Sequence, residues 1–295
     1  MKHSEFVEQL SHKIGFRASP STMTPIGGGC IHRAECWDFG KEEKVFVKQN
    51  SVEAAEMLRT EFDALKVLKA SGKVRCPSPI YYGCDPEAGA FLVLEHLELV
   101  GLNTMSAETL GRDLAELHSV SDNLYGWKED NFIGATKQLN NEMSSWSEFF
   151  WVQRLFPQLK WAGEKGFSFG KITALESSVE KALDSHSPAA SLLHGDLWGG
   201  NAAAFTDGRP VLFDPASYYG DAETDLAFTE VFGGFPSSFY DAYWEVSGLD
   251  AAAYSERKDI YNLYHYLNHL NLFGAGYLGR CQSIISQTLN RYGSK

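Results

Sequence analysis

Ser191-Leu192-Leu193-His194-Gly195-Asp196-Leu197-Trp198-Gly199-Gly200-Asn201 and, shortly after it, Pro210-Val211-Leu212-Phe213-Asp214-Pro215 decide how this chain is read. Each begins as a short apolar run and ends in a polar loop holding an Asp, the way a strand delivers a side chain to a cleft. The first loop carries an Asn five residues after its Asp. Such a set suits phosphoryl transfer: one carboxylate orients the attacking hydroxyl and accepts its proton, while separate hard oxygens hold a magnesium ion on nucleotide phosphates. Asp196 fits the first role, Asn201 and Asp214 the second. Taken singly, each residue would equally cap a turn. His194 reads as a brace for the loop and not as a base.

Around this centre the chain changes character. After His96–Asn103 it is mainly helical, with apolar spacing that predicts helices over Ala107–Val120, roughly Ser145–Lys165, Lys171–Asp184 and several segments from Thr224 on. Trp146 and Trp151 lie at helical spacing and read as core. Before His96 the pattern is strand-like. Three short antiparallel strands are expected between Thr22 and Lys48, with a turn at Phe39-Gly40-Lys41-Glu42, and two more at Ile80-Tyr81-Tyr82 and Phe91-Leu92-Val93-Leu94-Glu95. Between them Ala54, Ala55, Leu58, Phe62, Leu65 and Leu68 mark one amphipathic helix that Gly72 stops. The expectation is an α+β chain of two lobes, 1–97 for nucleotide binding and 98–295 for catalysis and the acceptor.

The small lobe supplies the nucleotide-binding candidates. Gly27, Gly28 and Gly29 would let backbone amides approach phosphates without side-chain obstruction, although a hairpin turn would look the same. Lys48, ending the third strand, would meet the phosphates and needs a helix carboxylate to hold its ammonium. Glu61 is chosen over the nearby Glu56 because it sits about midway along the helix. Glu95, His96 and Leu97 would form the hinge and offer backbone groups to adenine.

Protein kinases use a catalytic loop of the same form. No Ala-Pro-Glu segment follows Asp214, which argues against a protein kinase. Leu193–Asn201 and Phe213-Asp214-Pro215-Ala216-Ser217-Tyr218-Tyr219-Gly220-Asp221-Ala222-Glu223-Thr224-Asp225-Leu226-Ala227 instead resemble the fructosamine (ketosamine) kinase family, relatives of aminoglycoside and choline phosphotransferases. Weaker likeness extends to Asp130-Asn131-Phe132-Ile133-Gly134, the Trp146–Arg154 segment and Tyr266-Leu267-Asn268-His269. The resemblance implies a protein-kinase-like fold, ATP and Mg2+ as cofactors, and phosphorylation of a sugar hydroxyl, typically the 3-hydroxyl, of fructosamine or ribulosamine, free or on protein lysines. That would make the chain a deglycation repair enzyme. Gly199 departs from the family's usual Ser, between the catalytic positions and not at one. For the acceptor, Trp198, Asp221, Glu223 and Asn268 are nominated, since an aromatic face stacks on a sugar and carboxylates meet a cationic nitrogen. Trp198 reads equally well as packing, and Asp225 as a structural brace. An aminoglycoside- or choline-type acceptor, or a nucleotide-binding regulator without turnover, are the competing readings.

Composition restricts the partners. A formal net charge of -12 over 295 residues argues against nucleic acid and anionic membranes, and 44% apolar residues support a real core. No signal-like or membrane-spanning run is visible, so a cytoplasmic monomer or homodimer is expected. The five cysteines include no CxxC pair and read as free thiols. Cys30 stands apart: beside a glycine loop and a cationic phosphate site its thiol would be open to oxidation, a possible redox switch, or it is an unreactive loop Cys.

Overall fold

A computed structural model describes residues 3–27 and 31–293. Gly28, Gly29 and Cys30 therefore lie outside the described residues. Strands β1 (Thr22–Ile26), β2 (Arg33–Asp38), β3 (Lys44–Asn50), β4 (Pro79–Asp85) and β5 (Gly89–Glu95) form one antiparallel sheet in the order β1-β2-β3-β5-β4. Helix α2 (Ala55–Ser71) lies between β3 and β4 in sequence and is stopped by Gly72 at φ 65°, a left-handed cap that costs glycine nothing. The two-residue period sorts the strands' side chains. Val45, Val47, Phe91 and Val93 join one buried cluster, whereas Leu92 and Leu94 pack in another with Leu58, Leu65 and Leu68 of α2. Phe46 and Lys48, alternating with the valines, face the cleft.

The structure adds a helix that the strand pattern from Thr22 does not announce. Helix α1 (His3–Lys13) places Phe6, Val7 and Leu10 on the outer face of the sheet, against Trp37, Val45, Val47, Phe91 and Val93. Its signal is three apolar residues at helical spacing, short enough to be overlooked in a charged N-terminus.

Beyond β5 the chain is mainly helical, opening with α3 (Thr104–His118), which is capped reciprocally by Asn103 and Ser106. The helix expected near 145–165 is interrupted: Phe150–Leu155 forms a π-helical turn between Trp146–Phe149 and Phe156–Glu164. Trp146 and Trp151 are core residues, as their spacing suggests. The two decisive runs are short strands, Ala190–Leu192 and Pro210–Leu212, each ending just before its Asp loop. Helices Glu223–Thr229 and Ala251–Phe273 complete the wall behind those loops. No helix of the described residues is long and apolar enough to cross a membrane.

Candidate active site

The cleft between sheet and helices has a volume of about 620 Å³. Gly27, Lys48, Glu61, Glu95, His96, Leu97, Asp196, Trp198, Asn201, Asp214 and Asn268, all nominated from sequence, line it. Ile26, Ala34, Phe46, Leu94, Leu97 and Leu99 give one end an apolar lining suited to a flat ring.

Lys48 is almost fully buried, and its Nζ donates to Glu61 Oε1 at 2.7 Å and to Asp214 Oδ1 at 2.6 Å. Burial disfavours the ammonium, but Asp214 and Glu61 more than offset this and raise its pKa. Glu61 goes the other way: burial, countered by Lys48 and reinforced by Asp214, pushes it up to about 7. Its carboxylate form, which holds Lys48, is thus full only above that pH. We expect kcat/KM for ATP to fall on the acid side with a midpoint near 7 as Glu61 takes up a proton, and this limb to vanish in Glu61→Gln. A pH series on both proteins reads it directly.

The catalytic loop is over-determined. Asp225, at the start of helix Glu223–Thr229, accepts from His194 N (2.7 Å) and Gly195 N (2.8 Å), and His118 Nε2 approaches it at 3.2 Å. Burial works against its charge, yet His118, His194 and the amide of Gly195 hold its pKa below the usual carboxylate range. Gly195 sits at φ 84°, and a Cβ there would come within 2.1 Å of Ala216 O, so no other residue fits. The His194 ring donates from Nε2 to Phe213 O (3.0 Å) and accepts at Nδ1 from Asp196 N (3.3 Å). Both ring nitrogens are used in tying the two Asp loops together, and burial lowers its pKa, so it acts as the brace and not as a base. Replacing Asp225 by Ala strands two buried amides, and urea unfolding should show a loss of about 3 kcal/mol.

Asp196 itself is pushed well above the ordinary carboxylate pKa by burial and by the charge of Asp214. Asn201 Nδ2 donates to Asp196 Oδ2 at 3.0 Å and to its carbonyl at 2.8 Å, leaving the amide's Oδ1 outside those bonds. Asp214 adopts φ 58°, a left-handed conformation uncommon outside glycine that Asp and Asn tolerate best. At the hinge the Glu95 carboxylate is engaged by Arg75 Nη2 (2.6 Å) and Ser78 N (3.0 Å). It braces the strand end.

Two nominations do not reach the cleft. Asp221 and Glu223 are each about 1% exposed and sit in a network within the helical lobe. Asp221 accepts from Tyr261 OH (2.5 Å) and faces His186 Nε2 (2.8 Å), and Glu223 is gripped by Arg257 through both oxygens at 2.8 and 2.5 Å. Glu223 has its countercharge in Arg257 and Asp221 is hydrogen-bonded by Tyr261 and His186, so both are corrected from acceptor ligands to a buried structural network. Asn268 lines the cleft, with its amide facing Gln158 and Ile133 O. Trp198 lies over Gly200, where a Cβ would meet its ring at 2.3 Å, whereas a Cβ at Gly199 would meet nothing within 4 Å. The glycine in place of a serine is therefore spatially neutral. Sequence reasoning left out His32 and Phe46, which line the cleft, and passed over Asn131–Gly134 and His269 as weak likenesses only.

A family model described as fructosamine kinase matches residues 2–291. The chain belongs to the fructosamine kinase family. A probable ketoamine kinase of Synechocystis sp. is 41% identical over 284 residues, covering 96% of this chain and 95% of its own. A Haemophilus somnus protein assigned as a fructosamine-3-kinase, solved by crystallography, is 30% identical with a TM-score of 0.88, each chain covered to 96%. An aminoglycoside phosphotransferase solved with AMP-PNP and hygromycin B, 14% identical and covering 97% of this chain and 98% of its own, gives a TM-score of 0.65, a likeness of fold alone. This fructosamine kinase family member is therefore a phosphotransferase of the protein-kinase-like fold, acting on an alcohol, and its Asp196, Asn201 and Asp214 line one cleft.

Proposed function

We propose that this enzyme transfers the γ-phosphoryl group of ATP to a sugar hydroxyl of a ketosamine such as fructosamine or ribulosamine, at the 3-hydroxyl, and thereby serves in deglycation. The carrying observation is the convergence of Lys48–Glu61, Asp196–Asn201 and Asp214 in one cleft of a fructosamine kinase family chain. The ketoamine kinase and fructosamine-3-kinase assignments of its relatives support the acceptor class.

Lys48, held by Glu61, binds nucleotide phosphate oxygens, and the apolar slot beside the hinge takes the base. Asn201 Oδ1 and Asp214 offer hard oxygens of the kind Mg2+ prefers, and the second oxygen of Asp214 lies outside its bond to Lys48. The two residues would hold the ion, which when bound neutralises charge on the phosphates. Asp196 accepts the proton of the acceptor hydroxyl as its oxygen forms the new bond to phosphorus and the bond to the ADP oxygen breaks. The raised pKa of Asp196 suits a group that must take up a proton near neutral pH. Trp198, fixed over Gly200, presents a ring face to the sugar.

Carbon-13 and phosphorus-31 spectra of the product formed from 1-alkylamino-1-deoxyfructose test the position. Phosphorus coupling at C3 is the expected result; coupling at another carbon would refute the regiochemistry.

A further inference from the structure

The carboxylates lining the cleft among the described residues are Glu61, Glu95, Asp196 and Asp214, the first two and the last engaged by Lys48 or Arg75. With Asp221 and Glu223 withdrawn into the Arg257 network, no spare carboxylate awaits the cationic nitrogen of a ketosamine. Rings stand there instead. Phe232 is 46% exposed and Phe273 57%, unusual for residues of this size without a partner to cover them. Phe232 lies 5.8 Å from the Trp198 ring and 4.9 Å from that of His269, both of which line the cleft. His269 in turn contacts Tyr277 at 5.2 Å and Phe273 at 5.5 Å, and Phe232 meets Tyr277 edge-on at 6.4 Å. The rings form a continuous rim running outward from the wall that carries Trp198.

Phe232 is held there at a cost. Its φ is 58°, left-handed, and Gly233 and Gly234 follow at φ 109° and 74°. A bulky side chain in that region is strained and persists where the surroundings enforce it. The effect is to keep an aromatic ring partly in solvent beside the cleft-lining Trp198 and His269. His269 is neutral near pH 7, because burial lowers its pKa, so it adds no charge that would repel a cation.

We propose that Phe232, with His269, Phe273 and Tyr277, receives the protonated amine of the acceptor and the stem attached to it, binding the ammonium through ring faces in place of a carboxylate. This rests on the ketosamine reading and adds to it what the site selects: a protonated secondary amine carrying an apolar stem, against a neutral sugar of the same shape. Ring faces attract a cation by about 0.5–2 kcal/mol according to its desolvation.

The test compares 1-alkylamino-1-deoxyfructose with its 1-O-alkyl ether, identical in shape but neutral, as acceptors for wild type, Phe232→Leu, Phe232→Tyr and Tyr277→Leu. Phe232→Leu should lower kcat/KM for the amine by about tenfold. The ether, which keeps the stem and lacks the charge, should lose much less, KM for ATP should stay at wild type, Phe232→Tyr should retain the amine's advantage, and Tyr277→Leu should lose part of it. Equal losses on amine and ether, or no loss on either, would overturn the rim as a cation site. A wild type inactive on both sugars yet active on choline or an aminoglycoside contradicts the ketosamine reading alone. The rim then stands or falls on the Phe232→Leu loss with that cationic acceptor.

Discussion

Asp196→Ala should lower kcat by about 10³-fold while leaving KM for ATP nearly unchanged. The half-buried carboxylate is held by Asn201, whereas Lys48 is held by Glu61 and Asp214, so its loss removes the proton acceptor without dismantling the phosphate site. Asn201 would lose one of its two bonds to this residue, the other being to the carbonyl, so the loop should keep its shape. Steady-state kinetics in ATP and acceptor separate the two effects. A variant as active as wild type would show that another group takes the proton.

Asp214 is expected to behave differently, because it serves both the metal and Lys48. Asp214→Ala should cut kcat comparably and also raise KM for ATP by about tenfold or more, since a cation ligand and a partner of the Lys48 ammonium are lost together. Asp214→Asn separates charge from shape: Asn tolerates the left-handed φ 58° that Asp214 adopts, so a loss seen in both variants comes from the missing charge. The same change should lower the pKa of Asp196, which the charge of Asp214 helps to raise, and so move the acid limb of kcat/KM, which reports the free enzyme, to lower pH. Kinetics at several magnesium concentrations check the first part, and a pH profile of Asp214→Asn the second.

The sheet and the two Asp loops were legible because their signals are local. Alternation along Lys44–Lys48 separates the valines, bound for the core, from Phe46 and Lys48, which face the cleft, and the turn and strand residues around them agree. The Asp–Asn spacing of the catalytic loop and the Asp after Phe213 carry their chemistry in short stretches of chain. Asp221 and Glu223 failed for the opposite reason. Their position close to a functional loop says nothing of where the side chains point, and the partners that bury them, Arg257 and Tyr261, come from a helix whose pairing is set by tertiary packing. Phe232 was invisible for the same cause: its exposure, its backbone conformation and its ring neighbours exist only once Trp198, His269 and Tyr277 are brought together. Helix α1 went unseen because its few apolar residues make sense only against the outer face of the sheet.

Acceptor-dependent ADP release from magnesium-ATP by the reduced enzyme tests the central claim most directly, with a fructosamine, a ribulosamine, choline and an aminoglycoside in parallel. The account predicts release stimulated by the ketosamines and abolished in Asp196→Ala; stimulation by choline or the aminoglycoside alone, or by none of the four despite bound ATP, would contradict it.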